Sequence, residues 1–270
     1  MSAVAAFLVP GSPLPYVRRD NAPWGTLAEA MEAAGESLAA SQPDTIVVYS
    51  TQWIAVLDQL WQTRPHLQGL HVDENWHEYG DLPFDIQIDT ELAELAIEKT
   101  SAHGIKSRGV DYDQFPVDTG TIVASNFLSP GGNVPLAITS NNLYHDWDMT
   151  VSIGQAAAEA ADALGRRIAV LGIGGLSGSV FRHGIDEIDD RIVADEEDAW
   201  NQKILKLMES GDVDALTAAC PSFAQEARAD MGFKHLAFIL GAIGGGFAGA
   251  TVHGYGPLYG SGGAVVEFHL

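Results

Sequence analysis

The chain has 270 residues and a formal net charge of −22, from 36 acidic against 14 basic residues. A field of that sign repels nucleic-acid phosphates and anionic membrane surfaces, and no apolar run approaches the roughly 20 residues that cross a bilayer, so we expect neither nucleic acid nor membrane as partner. The single cysteine, Cys220, excludes an internal disulfide and fits a cytoplasmic protein, whether of a high-salt cytoplasm or of an ordinary bacterial cell.

The first half of the chain alternates predicted strands with predicted helices. An apolar run predicts a strand at residues 3–9. No basic segment precedes this run, so we interpret it as part of the fold and not as a signal peptide. Helical periodicity and short β-branched runs predict the other elements. These are helices at residues 24–39, 90–103 and 119–127, strands at 44–50 and 134–139, and an irregular aromatic loop at 61–83.

The second half continues the alternation and sets the predicted fold class. An alanine-rich helix at residues 149–164 leads into a buried strand at 167–171. The later elements are a charged helical segment at 186–208, short helices at 213–220 and 222–229, a hydrophobic helix at 233–243, and strands at 250–255 and 264–268. The pattern predicts an α/β fold: one domain over residues 1–270, with a mainly parallel or mixed central sheet flanked by helices.

The strand at 167–171 ends in the turn Gly172-Ile173-Gly174-Gly175. In an open α/β sheet, ligands and catalytic groups collect at the carboxyl ends of central strands. This turn offers glycine and serine but no acid, base or thiol. A dinucleotide site would need a third glycine, where Ser177 stands, and an acidic residue about 20 positions later. We therefore interpret the glycines as positions of sharp turning or close backbone approach.

One dense set of potential metal ligands lies in the predicted aromatic loop: His66, His71, Glu74 and His77. Two histidines and a carboxylate are the ligand pattern of many non-haem iron sites. The alternative is a solvated or interface-facing loop, which we favour because rigid elements hold metal ligands better than loops do. The other histidines are scattered, and Cys220 lies in an apolar run typical of a buried, unreactive thiol.

Eight segments across nearly the whole chain carry a resemblance to the class III extradiol dioxygenases, which cleave catechol-type rings with a mononuclear Fe(II). The segments are FLVPGSPLP (7–15), VYSTQW (48–53), HVDENWHEYGDLPFDI (71–86), FPVDTGT (115–121), SNNLYH (140–145), GIGGLSGS (172–179), MGFKHLAFILGA (231–242) and YGPLYGSG (255–262).

The resemblance also implies where this chain departs from active members of that family. Gly11 and Gln52 stand where two metal-binding histidines are expected, and Lys234 stands where the metal-binding glutamate is expected. Gly178 replaces an acid/base histidine, and Thr119 replaces a further histidine of the pocket. Glycine has no ligand atom in its side chain, glutamine is a poor Fe(II) ligand, and an ammonium group repels the cation.

The resemblance therefore implies a subunit without catalytic residues or a cofactor of its own. We expect Fe(II) in a homologous β subunit, an α2β2 assembly, and cleavage of a 2-aminophenol-type or catechol-type ring by the complex with O2. Two finer hypotheses follow: Lys234 places a positive charge where the metal would lie, and the aromatic loop around Trp61 and Trp76 contacts the partner. The alternatives are a self-sufficient metalloenzyme with a relocated site, and a small-molecule binding or scaffold protein.

Overall fold

Strands and helices alternate along the residues that this computed structural model describes, 2–178 and 184–270. The strands are β1 (Ala3–Val9), β2 (Thr45–Ala55), β3 (Gln59–Gln62), β4 (His66–His71), β5 (Leu82–Gln87), β6 (Ser107–Val110), β7 (Leu136–Asn142), β8 (Ile168–Ile173), β9 (Gly249–Leu258) and β10 (Ser261–His269). The helices are α1 (Leu14–Val17), α2 (Ala22–Ser41), α3 (Thr90–Ala102), α4 (Thr119–Leu128), α5 (Trp147–Leu164), α6 (Asp195–Ser210), α7 (Val213–Glu226) and α8 (Lys234–Ala242), with 3-10 turns at His77–Tyr79, Glu187–Asp189 and Asp230–Phe233.

One mixed sheet of eight strands organises the fold, in the order β6-β3-β7-β2-β8-β1-β10-β9. Strands β7, β2, β8 and β1 are parallel to one another. Strand β10 is antiparallel to β1 and to β9, and β3 is antiparallel to β7. Strands β4 and β5 form a separate two-stranded sheet. The predicted α/β fold with a mixed central sheet is confirmed.

The central strands are buried on both faces, which explains their continuous apolar sequences. Val47 belongs to a core layer shared with α3, α5 and α8, and its neighbour Val48 belongs to the layer shared with α2 and α4. The side chains alternate between the two layers because successive residues of a strand point to opposite faces. Among the described residues, no helix combines the length and apolar character needed to cross a bilayer.

The charged segment at 186–208 is not one helix, contrary to the prediction. The helix begins only at Asp195, and the preceding stretch is fixed by its side chains. The Asp190 carboxylate accepts hydrogen bonds from Trp24 Nε1 at 2.8 Å and from the backbone N–H groups of Tyr259 and Gly260, each at 2.7 Å. These tertiary contacts hold the chain extended at that point, which no helical periodicity reveals.

Two further predictions at the level of elements were wrong. Residues 213–229 contain one helix, α7 (Val213–Glu226), with Pro221 inside it; Pro221 lies on the exposed side, as does Thr217, whose carbonyl group loses its helical donor. The stretch 61–83 contains strands: β3 extends the sheet, and β4 pairs with β5.

Trp61 in β3 is 0% exposed, so it does not contact a partner, and the hypothesis of an interface around Trp61 is corrected.

The glycine-rich stretch at 256–262 is a hairpin and not a loop. Strands β9 and β10 continue to a two-residue turn at Tyr259 and Gly260, whose φ angles are 52° and 81°. Both positive angles fit a type I′ turn. Gly262 is needed for close approach, because a Cβ there would lie 2.2 Å from Asn201 Nδ2.

Candidate functional site

A cavity of about 960 Å³ lies at the carboxyl edge of the central strands. The loop after β1, the last residues of β2 and the loop after β8 line it, as expected where parallel strands end at one edge of a sheet. Four of the five positions singled out by the family resemblance line it: Gly11, Gln52, Thr119 and Gly178. These four positions, which are far apart in the sequence, therefore lie around one cavity. Lys234 is absent from its described lining.

Gln52, in β2, links the loop after β1 to the first turn of α4. Its Nε2 donates to the carbonyl oxygen of Gly11 at 3.0 Å, and its Oε1 accepts from the N–H of Gly120 at 2.8 Å. The same amide occupies the space beside residue 11, since a Cβ on Gly11 would lie 2.7 Å from Gln52 Nε2. Glycine at position 11 therefore makes room for the Gln52 side chain in this conformation.

Thr119 joins His71 to Asp73 at the rim of the cavity. The hydroxyl of Thr119 donates to Asp73 Oδ2 at 3.1 Å and lies 2.8 Å from His71 Nε2. A hydroxyl has one proton to donate, so Nε2 of His71 must carry the proton of the second bond. Asp73 Oδ1 accepts from the N–H groups of Asn75 and Trp76, which fixes the loop after β4 beside the cavity.

Two further carboxylates at the cavity were not singled out from the sequence. Asp118 caps α4, accepting from Thr121 N at 3.0 Å, and also accepts from Ser50 Oγ at 2.5 Å. Asp230 Oδ2 accepts from Thr51 Oγ1 at 2.7 Å and from Gly175 N at 2.9 Å. The Asp-x-x-Thr pattern of a helix start signals Asp118. Asp230 belongs to a distant segment, and only the tertiary fold brings it there.

The glycine turn is explained by close packing. A Cβ on Gly172 would lie 2.6 Å from the carbonyl oxygen of His235, and one on Gly174 would lie 2.8 Å from the His235 ring. Helix α8 thus packs directly against the end of β8, as the close-approach interpretation predicted. His235 is fully buried, and neither ring nitrogen has a hydrogen-bond partner among the described residues. Burial lowers its pKa to about 4, an effect that nearby Asp230 opposes.

Lys234 is not among the described residues that line the cavity. Its side chain is buried, and Nζ donates to the carbonyl oxygens of Asn142 at 2.7 Å and His145 at 3.2 Å. Burial lowers the pKa of Lys234, an effect opposed by Asp146, and burial together with Lys234 lowers the pKa of His145. The hypothesis that Lys234 replaces the metal charge inside the cavity is therefore corrected: its ammonium group fastens the turn after β7.

The alternative metal set is dispersed along the β4–β5 region. His66 Nε2 lies 2.7 Å from Asp85 Oδ1, His71 bonds to Thr119, and His77 Nδ1 lies 3.3 Å from the carbonyl oxygen of Glu74. His71 and Glu74 line the cavity, whereas His66 and His77 are absent from its described lining. Within residues 2–178 and 184–270, no group of three or more His, Cys, Asp or Glu side chains is placed to hold a metal ion.

The cavity's donor set does not fit Fe(II), the metal that the family resemblance implies. Gln52 and Gly11 present an amide and a backbone carbonyl that already bond to each other. The Asp73, Asp118 and Asp230 carboxylates each accept at least two hydrogen bonds from protein groups.

Ser179 and His183 lie outside the described residues. Cys220 is buried, as predicted, and burial raises the pKa of its thiol to about 12.

Comparison with known proteins places this geometry in a family. A family model described as the catalytic LigB subunit of aromatic ring-opening dioxygenase matches residues 6–267. The chain is 54% identical, over the full length of both proteins, to the 2-aminophenol 1,6-dioxygenase alpha subunit of Pseudomonas sp.. It is 27% identical to the beta subunit of the enzyme of that name, also from Pseudomonas sp., over 92% of this chain and 85% of that subunit.

A solved structure shows the same fold at low sequence identity. An uncharacterized protein from Escherichia coli K12 aligns with a TM-score of 0.66 and 16% identity, covering 98% of this chain and 99% of that one. Because identity is so low, this likeness concerns the fold alone. Together, the family match and the full-length relative show that this chain belongs to the LigB family of aromatic ring-opening dioxygenase subunits.

Proposed function

We propose that this chain is the non-catalytic α subunit of a cytoplasmic, Fe(II)-dependent extradiol dioxygenase that opens a 2-aminophenol-type ring with O2. A homologous β subunit supplies the iron, and the two assemble as α2β2. The observation that carries the proposal is the hydrogen-bonded link from Gln52 to Gly11 and Gly120, because the resemblance implies metal-binding histidines at positions 11 and 52 and this link offers no side chain suited to Fe(II) there. The name of the 54% identical relative supports the subunit role.

The role of such a subunit is to complete or stabilise its partner. Permanent hetero-complexes bury large surfaces, so one chain can depend on the other for stability and for the shape of its site. A chain that keeps the family fold while lacking the donor set suits this role. The word "catalytic" in the family's description belongs to the family as a whole, and we do not extend it to this chain.

Reconstitution tests the proposal. The chain, the β subunit from the same host, and an equimolar mixture are each assayed for ring opening of 2-aminophenol and of catechol after reconstitution with Fe(II). We expect no turnover by the chain alone and the highest turnover by the mixture. Turnover by the isolated chain would contradict the proposal, as would a β subunit whose activity and stability are unaffected by the mixture.

A second candidate function is binding of a small aromatic amine in the cavity. Trp53, Phe115 and Trp76 provide aromatic walls, and Asp230 and Glu74 provide carboxylates that form no ion pair within the described residues. The aromatic faces can stack on an aromatic ring, and the carboxylates accept hydrogen bonds from the N–H groups of a neutral aromatic amine and repel an anion such as benzoate. Calorimetric titration of the isolated chain with 2-aminophenol and with benzoate distinguishes the cases: binding of the amine alone supports this function, and binding of neither contradicts it.

A further inference from the structure

Five large apolar side chains are exposed on two adjacent segments at the carboxyl ends of β2 and β7. Leu57 is 77% exposed and Tyr144 is 80% exposed, and Ile54, Val56 and Leu143 are exposed beside them. We call these five residues the β2–β7 patch. Single exposed apolar residues are common on protein surfaces, but a contiguous group of them marks an interaction surface.

The two segments form one surface because hydrogen bonds join them. Leu143 N donates to the carbonyl oxygen of Ala55 at 2.9 Å, and Asn142 Nδ2 donates to the carbonyl oxygen of Asp58 at 3.2 Å. Within the first segment, β2 continues through Ile54 and Ala55, which lie opposite Asn141 and Asn142 of β7. The patch is therefore a continuation of the central sheet.

Buried charges hold the patch in place. Lys234, only 8% exposed, donates to the carbonyl oxygens on either side of Leu143 and Tyr144. Asp58 is buried and pairs with Lys106 at 3.1 Å and Arg108 at 2.9 Å. Because a buried charged group is costly without partners, these hydrogen bonds and ion pairs are expected to persist and to restrain the backbone beside the patch. A preorganised surface loses less entropy on binding.

The negative charge of this chain indicates what kind of protein binds the patch. A second copy of this chain would bring another net charge of −22 against the first, which opposes self-association. Beside the patch, Asp146 and Asp148 are exposed and form no ion pair within the described residues. Complementarity across an interface therefore calls for Lys or Arg on the partner, next to an apolar centre.

The patch is continuous with the cavity. Ile54 belongs to both, and its neighbour Trp53 also lines the cavity. A partner seated on Leu57 and Tyr144 would therefore border the cavity mouth. This position distinguishes the patch from Ile188, which is 83% exposed but lies on the Glu187–Asp189 turn, where Asn21 contacts the neighbouring backbone.

We propose that the β2–β7 patch is the docking surface for a homologous but different subunit, whose facing surface is apolar at its centre and bears Lys or Arg opposite Asp146 and Asp148. This inference rests on the proposed function, because the β subunit is the chain that would supply such a face. Beyond the subunit role, it identifies the surface of this chain that the β subunit covers.

The test compares single variants in the assembled system. Leu57→Asp and Tyr144→Asp are each mixed with the β subunit from the same host, and the dissociation constant of the hetero-complex is measured. We expect each variant to weaken association at least tenfold, because a carboxylate is placed in an apolar contact. Asp148→Lys should weaken it severalfold at low salt and less at high salt, since screening removes the repulsion.

Ile188→Asp is the matched control, because it introduces the same charge at an equally exposed apolar residue outside the patch. It should associate as the unaltered chain does. Equal binding by Leu57→Asp and the unaltered chain would overturn the patch assignment while leaving the subunit role intact. Failure of the unaltered chain to bind the β subunit would overturn both proposals. If the unaltered chain self-associates and Leu57→Asp abolishes that self-association, the occupant of the patch is a second copy of this chain, and the docking proposal is overturned.

Discussion

Residue 11 and residue 52 act as a pair at the centre of the site. The amide of Gln52 bonds to the loop after β1 and to the first turn of α4, and it fills the space that a side chain at Gly11 would need. At the scale of single residues, the two positions where the resemblance implies metal-binding histidines therefore form a structural link in this chain.

Gly11→Ala tests this dependence. The new methyl group would lie 2.7 Å from Gln52 Nε2, so the Gln52 side chain must shift and weaken its two hydrogen bonds, and we expect a loss of about 0.5–1.5 kcal/mol in the free energy of unfolding. Adding Gln52→Ala should relieve the clash, so that the double variant is less destabilised than the sum of the two single variants. Gly246→Ala is the control, because no other heavy atom beyond the adjoining residues would lie within 4 Å of a Cβ added there. If urea unfolding shows that the losses of the two single variants simply add in the double variant, the dependence between residues 11 and 52 is contradicted.

His235 makes a second prediction at this scale, about pH. The pKa of His235 in the folded chain is about 4, below the ordinary value of 6.5, because the ring is buried. The negative charge of Asp230 opposes this shift. Between these values the unfolded chain binds more protons, so stability is full above pH 6.5 and falls as pH drops toward 4.

Protonation of this histidine therefore destabilises the folded chain as the pH falls. Because carboxylates also titrate in this range, the measurement is the difference between the unaltered chain and His235→Leu. The variant should lose less stability than the unaltered chain between pH 6.5 and 4. Parallel pH profiles for the two proteins would show that His235 contributes nothing.

At the scale of elements, strands that are buried on both faces were predictable and strands with few apolar residues were not. The apolar runs of β1 and β8 identify them, whereas β4 buries Leu67 alone among six residues and shows no strand periodicity. The resemblance located Gly11, Gln52, Thr119 and Gly178 around one cavity. It could not show that Lys234 turns away, because the direction of a buried side chain depends on which carbonyl groups the fold brings near.

The stretch before α6 gives the element-scale prediction. Asp190 fixes this stretch to α2 and to the β9–β10 turn through three hydrogen bonds. Asp190→Ala leaves these buried donors without an acceptor and should cost about 1–3 kcal/mol in the free energy of unfolding. Asp189→Ala, at the exposed neighbouring position, should be within about 0.5 kcal/mol of the unaltered chain. Equal effects of the two substitutions would contradict the anchoring role.

At the scale of the whole molecule, the net charge of −22 dominates behaviour in solution. Like charges over the surface repel one another and destabilise the compact state, and salt shortens the range of that repulsion to about 3 Å at 1 M. We expect the melting temperature to rise as NaCl increases from about 0.05 to 1 M, and KCl to have a similar effect because the cause is ionic strength. A melting temperature that falls over this range would contradict the account.

The central claim is that this chain supports an iron-bearing partner and holds no iron itself. The most direct measurement is the iron content of the purified hetero-complex after full reconstitution with Fe(II), expressed per α–β pair. We predict one iron for each pair, and no loss of iron when Gln52 is replaced by alanine in the α chain. Two irons for each pair would show that the α chain binds the metal and would contradict the account.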